Sequence, residues 1–145
     1  MVRGAKKMFK KILFAADGSE HSLRAGEKAF ELASYNRDSK VFIVFAIDNK
    51  NSKDEVLQYW GANPTDKRKE KLRLVEQKAK HHNINYEIVF LNGEPGPTIV
   101  EYANNNQFDA VVIGSRGLNT LQEMVLGSVS HKVAKRAKCP VMIVK

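Results

Sequence analysis

Five short runs of almost uninterrupted apolar residues constrain this 145-residue chain more than any other feature: ILFAA from Ile12 to Ala16, VFIVFAI from Val41 to Ile47, YEIVF from Tyr86, AVVIG ending at Gly114, and VMIV from Val141 to Val144. A strand with one wet face alternates apolar and polar residues, so runs without alternation signal strands covered on both faces. Between them lie segments with apolar residues at helical spacing. Leu23, Gly26, Phe30 and Ala33 form one stripe behind Ser19, a residue suited to capping a helix, and Leu72, Val75 and Ala79 form another between Asp66 and His82. A third helix begins near Pro95 or Pro97, with Ile99, Val100, Tyr102 and Ala103 on its apolar side, and a fourth runs to about Ala137. Strand alternating with helix, with almost no hairpin turns, predicts an α/β fold: a doubly wound parallel sheet of five strands with helices on both faces, Rossmann-like in outline.

The length suits a single domain over residues 1–145. Residues 1–9 read as a basic, disordered lead-in, and residues 48–64 as a flexible insertion, polar apart from Val56, Leu57, Tyr59 and Trp60. No apolar run approaches the roughly 18 residues of a membrane span, and the single cysteine, Cys139, excludes an intrachain disulfide and fits a reducing, cytoplasmic setting. The net charge of +8 raises the question of a polyanionic partner. The densest basic cluster, residues 66–80, interleaves Glu70 and Glu76 with apolar residues at helical spacing. It reads as the solvated face of a helix, and nucleic-acid binding is not expected.

The segment VVIGSRGLNTLQEMVLGSVSHKV, residues 111–133, places glycines at Gly114 and Gly117 and a third at Gly127, within a stretch that otherwise reads as helix. Glycine in a helix interior costs about 1 kcal/mol relative to alanine, so these positions need a local reason. In an open parallel sheet ligands bind beyond the carboxyl ends of the strands, where the chain order reverses. Bare N–H groups at Gly114, Gly117 and, near a helix start, Gly127-Ser128-Val129-Ser130, helped by the Arg116 guanidinium and the hydroxyls of Ser115, Ser128 and Ser130, suit an anion there. The spacing is neither a Walker A loop nor GxGxxG.

It has instead the form G-x2-G-x9-G-[ST], which resembles the nucleotide-binding signature of the universal stress protein family. KKILFAADGSE resembles that family's first strand and Asp-Gly-Ser turn, VFIVFAID its second strand, FDAVVIGSRG its fourth, and GSVSHKVAKRAKCPVMIVK its last helix and strand. The resemblance covers nearly everything from about residue 9 onward. It implies a five-stranded sheet of order 3-2-1-4-5 and a homodimer through the last strand, Val141, Met142, Ile143 and Val144. An apolar strand at a sheet edge is open to such pairing. All motif positions are kept, so the chain resembles the ATP-binding branch.

Carried across by matching motif, the resemblance puts phosphates against Gly114, Ser115, Arg116 and Gly117 and against Gly127, Ser128, Val129 and Ser130. Adenine and ribose fall near Ala15, Asp17 and Ala46. Ala15 departs from the proline of some relatives, and Val44 on the neighbouring strand reads equally well as core. Asp17 can hold a magnesium ion through water, the natural companion of a triphosphate. No catalytic residue stands out: phosphoryl transfer needs a group that positions water, and neither His131 nor His21, His81 or His82 is placed for it. The function implied is a cytoplasmic, ATP-dependent switch in stress response, with nucleotide binding altering residues 118–126. The alternatives are a slow ATP hydrolase or phosphoryl or adenylyl transferase, and a basic dimeric scaffold for acidic partners.

Overall fold

The computed structural model describes residues 9–47, 67–116 and 126–145. The expected lead-in up to residue 8, the insertion at 48–64, the segment 118–125 and Gly117 lie outside the described residues. In chain order the elements are β1 (Lys11–Ala16), α1 (Glu20–Ser34), β2 (Lys40–Ile47), α2 (Lys67–His81), β3 (Asn85–Asn92), α3 (Pro95–Asn105), β4 (Ala110–Gly114), α4 (Ser128–Arg136) and β5 (Val141–Val144). The strands form one parallel sheet in the order β3-β2-β1-β4-β5.

Why the strands lack alternation is plain from the two cores. Ile12, Phe14 and Ala16 of β1 join Ala25, Ala29 and Phe30 of α1 and Val75 and Ala79 of α2 on one face. Leu13 and Ala15 join Ile99 and Ala103 of α3 and Val133 of α4 on the other. Each face is covered by helices, so neither residue parity along a central strand meets water. Val44 is fully buried in the second core and is a packing residue. Cys139 packs at the edge of that core, where burial pushes its thiol pKa up.

Gly26, inside α1, has a packing reason. A Cβ there would stand 2.9 Å from the Phe14 ring, which meets Phe30 edge-on with ring centres 5.9 Å apart. The helix gives up some propensity so that two aromatic rings can close the first core. The predicted stripe on α2 is also present, with Val75 and Ala79 buried and Leu72 packed beside them. A polar clamp reinforces that thin apolar seam: Glu27 of α1 accepts from Lys78 Nζ at 2.5 Å and lies 3.0 Å from His82 Nε2. The hydrogen bond from Lys78, then that from His82, holds the Glu27 carboxyl below its ordinary value of 4.5.

Gly127 stands at a helix start, as expected: it is the N-cap of α4, in extended conformation with φ −70° and ψ 165°. At the other end Asn104 of α3 stitches α4 to β5, donating to the Arg136 carbonyl at 3.2 Å and accepting from the Lys138 N–H at 2.9 Å.

Candidate functional site

The chain leaves β1 toward β2 on one side, and after β3 it crosses over to enter β4 on the other side of β1. The order therefore reverses between β1 and β4, whose carboxyl ends lie side by side, Ala15 opposite Ile113. That crevice is the place where doubly wound sheets take ligands.

On the β1 side the turn into α1 is closed by its own residues. Asp17 Oδ1 accepts from the Ser19 N–H at 2.8 Å, Ser22 Oγ accepts from the Asp17 N–H at 3.0 Å, and Ser19 Oγ accepts from the Ser22 N–H at 3.2 Å. Gly18 takes φ +84° in that turn, a conformation that favours glycine. One oxygen of Asp17 is thus engaged in the turn, and Oδ2 has no partner among the described residues. Ala15 is buried and Ala46 half-buried at the ends of β1 and β2, both facing the second core.

On the β4 side the arrangement is different. The Ser115 N–H continues the ladder to the Val144 carbonyl at 2.8 Å, and the Ser115 carbonyl accepts from the Gly127 N–H at 2.7 Å. The same carbonyl accepts the Ser130 hydroxyl at 2.8 Å, and that hydroxyl also lies 3.1 Å from the Gly127 carbonyl. The amides of Ser115 and Gly127 and the hydroxyl proton of Ser130 are therefore used to lock the end of β4 to the start of α4. Gly114 is explained by packing. A Cβ there would stand 2.8 Å from the backbone carbon of His21 and 2.9 Å from its oxygen, so α1 occupies that space.

Among the described residues, what remains open is the first turn of α4. The first N–H groups of a helix have no partner within it, and here the N-cap is a glycine that makes no side-chain cap bond. The amides of Ser128, Val129 and Ser130 gather at the positive end of the helix dipole with an exposed Ser128 beside them. Half-buried Arg116 follows Ser115 directly. α1 has a serine side-chain cap whereas α3 and α4 have none, and α3 opens on Pro95, which has no N–H to offer. The sequence reading missed two things: the Glu27 clamp, and the cations lining the outer face of α4. The second had a signal, since no acidic residue follows Glu123.

A parallel, doubly wound sheet in the order β3-β2-β1-β4-β5, with the uncapped N-terminus of α4 following the strand at its reversal point, defines the fold class as α/β. The chain belongs to the universal stress protein family, whose model matches residues 8–145. It is 34% identical over 149 residues to the Bacillus subtilis universal stress protein YxiE, an alignment covering 95% of this chain and all of the relative. It is similar to the solved structure of MJ0577 of Methanocaldococcus jannaschii, with a TM-score of 0.77 and 27% identity over 95% of this chain and 96% of that one. It is also similar to a universal stress protein crystallised in complex with cAMP, with a TM-score of 0.71 and 28% identity over 96% and 98% of the two chains. No described helix is long and apolar enough to cross a membrane.

Proposed function

We propose that this chain binds ATP in the crevice between β1 and β4 and works as a nucleotide-dependent switch in a cytoplasmic homodimer during stress. The observation that carries the reading is the first turn of α4, which has no side-chain cap and offers the amides of Ser128, Val129 and Ser130 with an exposed Ser128 among them. In this reading phosphate oxygens accept from the amides of Ser128, Val129 and Ser130, and Arg116 adds a charge-assisted bond. Ribose and adenine lie over Asp17, Ala15 and Ala46. Support comes from a 28% identical relative that holds cAMP, also a nucleotide. Asp17 offers one carboxylate oxygen to a hydrated magnesium ion whose other ligands come from the phosphates and water, a donor set that suits magnesium. The metal would screen the phosphate charge.

The switch follows from one connection. The residue beside the phosphates, Ser115, is hydrogen-bonded to Val144 of β5, and β5 is the edge strand offered to a second copy. Nucleotide on the first turn of α4 stiffens that junction, and with it the edge. Measuring by mass what leaves freshly purified protein on denaturation tests the reading: the parent releases ATP and a Gly127→Val variant releases none. Parent protein that carries no ATP and binds none when it is added overturns the reading. Retention of cAMP or AMP alone keeps the site and overturns the choice of ATP.

A further inference from the structure

After Glu123 the chain has no aspartate or glutamate, yet it carries Lys132, Lys135, Arg136, Lys138 and Lys145. Three of these cations fall on one face of α4 with Ser128 and His131, at the spacings that bring helical side chains together. Like charges at such spacings repel, so the arrangement is unfavourable until an anion joins it. Lys135 and Arg136 in the last turn suit the helix dipole, but Lys132 lies mid-helix and gains nothing from it.

This face borders an open groove of about 360 Å³ that continues from Gly127 and Ser128 past His131 and Lys132 to Lys135 and Arg136. Among the described residues, Lys28, Lys40 and Lys78 have carboxylate partners and the three α4 cations have none. The stem of Lys132 packs beside α3: its Cδ lies 2.8 Å from where a side chain at Gly96 would begin. The groove runs along roughly 12 Å of helix from Ser128 to Arg136. The His131 imidazole is the single ring among the described lining residues, so a nucleic-acid strand finds no row of stacking rings.

We propose that this groove takes the phosphate chain of a nucleoside polyphosphate beyond its third phosphate, so that the ligand class of the site extends to nucleotides carrying four or more phosphates. The proposal rests on the ATP reading above: phosphates held at the first turn of α4 continue past Lys132 to Lys135 and Arg136, which supply the added charge pairing.

Calorimetric titration of the full-length protein with ATP, adenosine 5′-tetraphosphate and inorganic tetraphosphate tests it, in the parent, in Lys135→Ala/Arg136→Ala, and in Arg73→Ala/Lys80→Ala. The last variant removes the same charge from exposed positions on α2. In the parent the tetraphosphate nucleotide should bind at least tenfold tighter than ATP. The ratio should fall below threefold in the α4 variant and stay at its parental value in the α2 variant, with all three proteins melting cooperatively. Equal affinities in the parent overturn the inference and leave the ATP reading standing, whereas a parent that binds neither nucleotide overturns both. An equal loss in the α2 variant shows a general charge effect and also overturns it. Inorganic tetraphosphate binding more tightly than the nucleotide assigns the groove to free polyphosphate and overturns the nucleotide source.

Discussion

The hydroxyl of Ser130 donates to the carbonyl oxygen of Ser115 at 2.8 Å, tying the first turn of α4 to the residue that follows β4. The Ser115 carbonyl also accepts from the Gly127 N–H, so it keeps a partner when the hydroxyl is removed. Ser130→Ala therefore forfeits the net value of one hydrogen bond, about 1 kcal/mol, without the larger penalty of an orphaned acceptor. Thermal unfolding should show a drop in midpoint of roughly 2–4 °C. A midpoint at or above that of the parent would mean the bond holds nothing together.

Gly114 meets a stricter limit, because its neighbour is backbone and cannot rotate away. A methyl group at this position must push against His21 of α1, where the gap is 2.8 Å. Overpacking of this kind costs about 1–3 kcal/mol, so Gly114→Ala should lower stability to denaturant by that amount while leaving the α4 amides intact. Urea unfolding checks it, and an unchanged midpoint would show that α1 yields freely.

The Glu27 clamp gives the fold an acid-sensitive seam. The carboxyl is held below its ordinary value of 4.5 in the folded chain, so its contribution is complete above that value and is lost as the pH falls through the lowered one. The side chain is 39% exposed, which keeps the contribution within the ~1 kcal/mol of surface pairs. Melting curves between pH 6 and pH 3 should fall less steeply for Glu27→Gln than for the parent. Parallel slopes would remove the clamp from the account.

Much of the architecture could be read beforehand because burial on two faces leaves a direct mark: Ile12 to Ala16 and Val41 to Ile47 have no polar parity, and only a covered parallel sheet tolerates that. The stripe on α2 was equally legible in Val75 and Ala79. The start of α4 was legible near Gly127 to Ser130, but its cap was not, because a glycine N-cap has no side chain to announce it. The hydroxyls of the signature were legible as a set, but which of them the protein keeps for itself depends on rotation about one bond. Ser130 turns inward to the Ser115 carbonyl while Ser128 stays on the surface. The clamp was invisible for another reason: Glu27 and His82 are 55 residues apart, and only the packing of α1 on α2 makes them neighbours.

Helix α1 presses its main chain into the space beside Gly114, and this separates the members of the glycine signature by what each one guards. A relative that has preserved this sheet should still show glycine at the equivalent of 114 whatever it binds, because the constraint there comes from α1. Glycine at that position would then report the seating of a helix, and its presence alone would not tell one homologue's ligand from another's.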